Sequence, residues 1–142
     1  MTIRNLKSLF QPRSVALVGE IDEPLSAGAL TAGHLIGGGF GGDIFFVNSQ
    51  GRSIEGYPAF NAVDALPAAP DLAVISSAPA AVSGVIADLG RLGTRAAAVI
   101  STGFAEYDRE SSRALQAEIL AAAGPHLLRV IGPNSTGVMA PR

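Results

Sequence analysis

The sequence predicts an α/β fold: a parallel sheet with helices on both faces. Two observations predict it. Five apolar runs of strand length, at 14–18, 43–47, 71–76, 96–101 and 127–131, each carry at most one charge. A continuous apolar run marks a strand buried on both faces, as in parallel sheets. The stretches between these runs have helical patterning, and regular alternation of strand and helix implies parallel pairing through right-handed crossovers.

The elements follow in order. Ser14-Val15-Ala16-Leu17-Val18 is the first strand and ends at Gly19. A polar loop, Glu20 to Leu25, leads to Ser26, which caps a small-residue helix reaching about Ile36. Gly37-Gly38-Gly39 ends that helix. Asp43 to Val47 is the second strand and stops at Asn48-Ser49. Ile54 to Phe60 reads as a short edge strand, because Pro58 is poorly suited to a sheet centre. A helical turn, Asn61 to Leu66, is closed by Pro67. Asp71 to Ser76 is the fourth strand. Pro79 occupies a helix N1 position and its helix runs to about Leu92. Ala96 to Ser101 is the fifth strand. The helix over 108–123 points Leu115, Ile119 and Leu120 inward, and Leu127 to Ile131 is the last strand. The predicted sheet is Rossmann-like, with order 3-2-1-4-5-6 and the first strand central. Ligands of such sheets bind at the carboxyl ends of the strands, at the switch point between strands one and four.

Composition bounds the function. The chain has 142 residues, enough for one domain with a core, and a net charge of −2. No basic patch suggests a nucleic-acid partner. There is no cysteine, hence no disulfide framework, thiolate nucleophile or Cys-type zinc site. No metal-ligand spacing occurs elsewhere. No run is long enough to span a bilayer, and the first residues lack the apolar core of a signal peptide. The expected location is the cytoplasm, without membrane association.

The residues expected at the carboxyl edge are small or neutral polar. They are Gly19, Ser26, Ala27 and Gly28 after strand one, and Asn48 and Ser49 after strand two. Ser77, Ala78 and Pro79 follow strand four, Ser101 to Phe104 follow strand five, and Pro133 and Asn134 follow strand six. Singly, each is also what a tight βα turn requires. As a row they admit a ligand close to the backbone, where free amides favour phosphate. The loop after strand one is not G-x-G-x-x-G, and Asn48 stands where a dinucleotide site carries an acid. Both facts disfavour an NAD(H)-binding Rossmann protein. Arg52 is the one cation in its loop. It either pairs with a ligand phosphate or is a solvated loop arginine.

The sequence resembles the CoA-binding domain of NDP-forming acyl-CoA synthetases, the superfamily of the succinyl-CoA ligase α subunit. The matching segments are Leu9-Phe10-Gln11-Pro12-Arg13 with Ser14 to Gly19, then Gly39-Phe40-Gly41-Gly42 and Phe46-Val47-Asn48. Gly56-Tyr57-Pro58-Ala59-Phe60, Asp71 to Ile75, Gly103-Phe104-Ala105-Glu106 and Gly132-Pro133-Asn134 complete the set, in family order, over nearly the whole chain.

The resemblance implies coenzyme A as ligand. Gly19 and Ser26-Ala27-Gly28 would cradle its phosphates, with Arg52 available to pair with one. Val47, Asn48 and Ser49 would lie along the adenosine, and Ala78 and Pro79 would border the pantetheine arm. Asn134 and Gly103-Phe104 would shape the thiol end. It further implies that residues 1–142 are a single domain, the N-terminal part of a longer multidomain chain. ATP or GTP would drive thioester formation there through an acyl phosphate and a phosphohistidine. That histidine belongs to another domain, so neither His34 nor His126 is expected to carry phosphate and no catalytic residue lies in this segment. The partners would be the phosphohistidine and ATP-grasp domains or subunits. The alternative is a free-standing CoA-binding or regulatory module. Two departures stand out: the family's Gly-Ala-Ser after strand one is Gly19-Glu20-Ile21, and its Val-Asn-Pro after strand two is Val47-Asn48-Ser49. A carboxylate at position 20 would repel phosphate.

Overall fold

A computed structural model describes residues 4–136. Strand β1 (Ser14–Gly19) pairs in parallel on both sides. Leu17 stands opposite Phe46 of β2 (Asp43–Val47) and opposite Val74 of β4 (Leu72–Ser76). Beyond β2 lies β3 (Ala59–Phe60), and beyond β4 lie β5 (Ala96–Val99) and β6 (Arg129–Ile131). All pairs are parallel and the order is β3-β2-β1-β4-β5-β6, as expected.

Alternation along each strand sends successive side chains to opposite faces. Ala16, Val18, Ala73, Ile75, Ala97 and Val99 face one side. There they meet Val82, Ile86 and Leu89 of α3 (Pro79–Leu92), and Ile119 and Ala123 of α4 (Arg109–Ala123). Leu17, Ile44 and Phe46 face the other side, against Ala32 of α2 (Ala27–Gly37) and Ile21. Both faces are thus covered, which is why β1 and β5 are apolar without a break. Ser26 caps α2, accepting a hydrogen bond from the Ala29 N–H at 3.0 Å.

Four sequence expectations shift. Leu120 is 68% exposed rather than inward; Ile119, Ala122 and Ala123 carry the contact, and Leu120 lies about 100° round the helix from Ile119. Ile54 and Tyr57 exchange backbone bonds at 3.1 and 2.9 Å, so the chain turns back there and only Ala59–Phe60 is strand. Leu127 has φ 53°, which delays β6 to Arg129. A short helix, α1 (Leu6–Phe10), precedes β1 and buries Leu9, where no element was expected.

Candidate functional site

The strand order reverses between β1 and β4, and the helices that follow them, α2 and α3, run to opposite faces of the sheet. The backbones are in close contact where these two strands end. A Cβ on Gly19 would come within 2.6 Å of the Ser76 carbonyl carbon and the Ser77 nitrogen, and Gly19 has φ +129°. One on Gly28 would fall 2.2 Å from the Glu20 oxygen and 2.6 Å from the Ser76 hydroxyl. The first turn of α2 thus packs directly onto the ends of β1 and β4. Ser26 closes the intervening loop by donating its hydroxyl to the Glu20 carbonyl at 2.9 Å.

Next to this junction, on the α3 side of the sheet, is a cleft of about 600 Å³. Its apolar surface comes from Val18, Val47, Val63, Ala81 and Val85. Ala81, Val85 and Asp88 stand four and three residues apart on α3 and so share one flank of the helix. The opposite wall is Asn48, Ser49 and Gln50 after β2 with Asn61 and Ala62, the latter leading into a 3-10 turn at Val63–Ala65. The rim over the β1–α2 loop is Gly19, Glu20, Asp22 and Glu23. The volume falls in the range of small-molecule sites, and an apolar floor beneath a polar rim suits a flat ring or a slender chain.

Of the sequence-derived edge residues, Gly19, Val47, Asn48, Ser49, Ser77 and Ala78 line this cleft. Ser26, Ala27 and Gly28 stand behind its rim, where the Ser26 hydroxyl and the small Gly28 serve the α2–β1 contact. Pro79 opens α3 and faces Gly103, where a side chain would meet its ring at 3.5 Å. Phe104 is buried in the α3–α4 core. Asn134 is exposed in the turn after β6, which Ser135 ties back by donating its N–H to the Val99 carbonyl at 3.2 Å. Gly103, Phe104 and Asn134 therefore lie farther along the same edge, outside the cleft walls. Arg52 is exposed on the loop beyond Gln50.

Asn48 is 3% exposed and its side chain is engaged in that loop. Its Oδ1 accepts from the backbone N–H of Gln50 at 3.1 Å and of Arg52 at 3.3 Å, and its Nδ2 donates to the Arg52 carbonyl at 3.2 Å. The lining residues missed from the sequence include Asn61, Ala62 and Val63 at the entry to the 3-10 turn, Ala81, Val85 and Asp88 of α3, and Asp22, Glu23 and Gln50 of the loops after β1 and β2. Ala78, Ala81, Val85 and Asp88 fall on one helix flank, a spacing that by itself marks only an amphipathic helix.

Among the described residues, no group of three His, Cys, Asp or Glu side chains is arranged to hold a metal ion. No helix among them is long and apolar enough to cross a membrane.

Comparison with known proteins bears directly on this cleft. Among curated relatives, the α subunit of the ADP-forming acetate–CoA ligase I of Pyrococcus furiosus is 32% identical over 139 residues, covering 95% of this chain and 30% of that protein. The ADP-forming acetate–CoA ligase II of Archaeoglobus fulgidus is 31% identical, over 97% of this chain and 20% of its own length. Among solved structures, the dinucleotide-forming acetyl-coenzyme A synthetase 1 of Ca. Korarchaeum cryptofilum in its apo form superposes with a TM-score of 0.82 at 33% identity, covering 91% of this chain and 28% of that one. The chain thus spans a fifth to a third of the length of these proteins. The family model described as CoA binding domain matches residues 13–141, nearly the whole chain, and the chain belongs to that family.

Proposed function

We propose that this chain is the CoA-holding, N-terminal domain of a cytoplasmic acyl-CoA synthetase of the ADP-forming kind. In this reading CoA lies in the cleft beside the β1–β4 junction and its thiol is presented to an acyl phosphate. The acyl phosphate and the phosphohistidine are made on other parts of the enzyme, the phosphohistidine and ATP-grasp domains. The segment alone binds and does not catalyse. The observation that carries the reading is the cleft itself: it opens at the switch point of a parallel sheet, with an apolar floor and with Gly19 on its rim.

The roles divide along the edge. Val47, Ser49 and the apolar flank of α3 sandwich the adenosine, while Gly19 admits a phosphate against the backbone. Ser26, Ala27 and Gly28 hold the α2 N-terminus behind it. Ala78 and Pro79 carry the pantetheine arm toward Gly103, Phe104 and Asn134, where the thiol emerges.

Ligand-dependent melting with CoA, acetyl-CoA, NAD and ADP tests this. CoA at 100 times its Kd is expected to stabilise the domain by about 2.7 kcal/mol. That is a rise of several degrees for a chain of this size. NAD is expected to leave the melting point unchanged. A rise with NAD and none with CoA sinks the proposal.

A further inference from the structure

We infer that Asn48 is a positioning residue of the cleft that acts through Arg52. Its side chain fixes the loop Ser49–Arg52 so that the guanidinium is held beside the phosphate-bearing part of the ligand. This inference rests on the CoA reading above.

Charge makes Arg52 matter. Residues 14–90 build β1 to β4, α2 and nearly all of α3, and so every wall of the cleft. They contain eight Asp or Glu and one Lys or Arg, which is Arg52. The cleft lining itself holds Glu20, Asp22, Glu23 and Asp88 and no cation. The flanking cations are unsuited to help. Arg13 sits at the start of β1, at the opposite edge, and is bound to Asp71 at 3.3 Å. Arg91 is in the last turn of α3 and pairs with Asp88. Arg91 is neutralised by the cleft-lining Asp88, which leaves Arg52, on the loop that continues from the Asn48–Gln50 wall, as the unpaired cation that this part of the chain offers a ligand with several phosphate groups. Among the described residues the Arg52 guanidinium makes no hydrogen bond or ion pair.

Geometry makes Asn48 matter. It ends the run from β2, and its own N–H is donated to the Phe60 carbonyl at 3.0 Å, which anchors it to the β3 strand. From that anchor its side chain binds both the N–H and the carbonyl of Arg52. The Gly51 N–H closes onto the Asn48 carbonyl at 3.1 Å, with Gly51 at φ +61°. The Arg52 stem therefore starts one side-chain length from a cleft-lining residue, on a backbone with no slack. Oδ1 has spent both acceptor positions and Nδ2 one of its two N–H groups, so little of Asn48 is left for the ligand itself. Without the amide, two loop N–H groups lose their shared acceptor and the long arginine side chain is no longer aimed.

A double-mutant cycle read by calorimetric CoA affinity tests this. Arg52→Ala is expected to weaken CoA binding about tenfold, the loss of one charge-assisted contact. Asn48→Ala is expected to weaken it by a similar factor, and the double variant to be no weaker than either single one. Asn48→Ser, which keeps one hydroxyl acceptor, is expected to recover part of the affinity, and it replaces the alanine variant in the cycle if that variant does not fold. Each single variant is also expected to change the salt dependence of binding in the same sense. Multiplicative losses in the double variant, or unchanged affinity in Asn48→Ala, overturn the positioning role while leaving the CoA reading intact. Absence of CoA binding by the parent chain overturns that reading and the inference with it.

Discussion

At position 19 the chain has no room for a side chain. Gly19 has φ +129°, and any Cβ would press on the Ser76–Ser77 peptide at 2.6 Å. Neither atom is the movable end of a side chain, so relief would require β1 and β4 to part. Gly19→Ala is expected to cost at least about 2 kcal/mol from backbone strain and overpacking together. Urea unfolding of the two proteins measures it, and an unchanged midpoint would mean that the junction opens freely. The sequence marks Gly19 as the end of an apolar run. What it cannot show is the partner, because Ser76 becomes a neighbour only through the β1–β4 pairing across 57 residues. A second residue-scale effect concerns acid. Asp108 caps α4, and its carboxylate accepts from the Ser111 N–H at 2.8 Å and the Ser111 hydroxyl at 2.9 Å. The Ser111 backbone bond first, then the hydroxyl, holds its pKa below the usual 3.8. A lowered folded pKa contributes stability that is present above the unfolded value and lost as pH falls through the folded one. Asp108→Asn keeps an acceptor at the cap but cannot titrate. The difference in stability between parent and variant is therefore expected to shrink below about pH 3.8, measured as unfolding midpoints across the acid range.

Helix α2 depends on one hydroxyl. Ser26 accepts from the Ala29 N–H and donates to the Glu20 carbonyl, so it both starts the helix and folds the β1–α2 loop back on itself. Ser26→Ala is expected to lower stability by about 1 kcal/mol. It should also speed hydrogen exchange at the Ala29 amide while leaving α4 amides unchanged; equal exchange in both proteins would show the cap to be idle. This start was legible, because a serine before a small-residue helix is a local signal. The same holds for Pro79 at the opening of α3. Elements whose fate is decided by neighbours were less legible. Leu120 resembles Ile119 in hydropathy, yet only the packing of α3 on α4 determines which flank turns inward. Val85 and Asp88 read as ordinary positions of an amphipathic helix. They become cleft walls because the Asn61–Ala65 segment crosses above them, leaving a gap over the ends of β1 and β2.

At the scale of the whole molecule, the basic residues at the amino edge of the sheet are partly offset by Asp43 and by Asp71, which pairs with Arg13, whereas the cleft rim at the carboxyl edge is acidic. Arg13, Arg95 and Arg129 stand at or just before the starts of β1, β5 and β6, and Arg91 lies in the last turn of α3. The carboxyl edge carries Glu20, Asp22 and Glu23 on the cleft rim, none with an ion-pair partner among the described residues. Arg52 offsets only part of this. A polyanionic ligand entering the cleft therefore approaches a net negative field, and the sign of its salt response follows. Raising ionic strength from 0.01 to 0.1 M shortens the Debye length from about 30 to about 10 Å and screens that repulsion. CoA affinity is expected to rise over this range, opposite to the response of a basic phosphate site. Glu20→Gln removes the carboxylate next to Gly19. It is expected to tighten binding at low salt by a few-fold and to flatten the salt response, because an exposed charge pair in water interacts by only about 1 kcal/mol. Calorimetry at the two ionic strengths, on both proteins, separates these effects. CoA affinity that falls with salt in the parent chain would mean that Arg52 and the backbone amides outweigh the acidic rim, and that Glu20 points away from the phosphates.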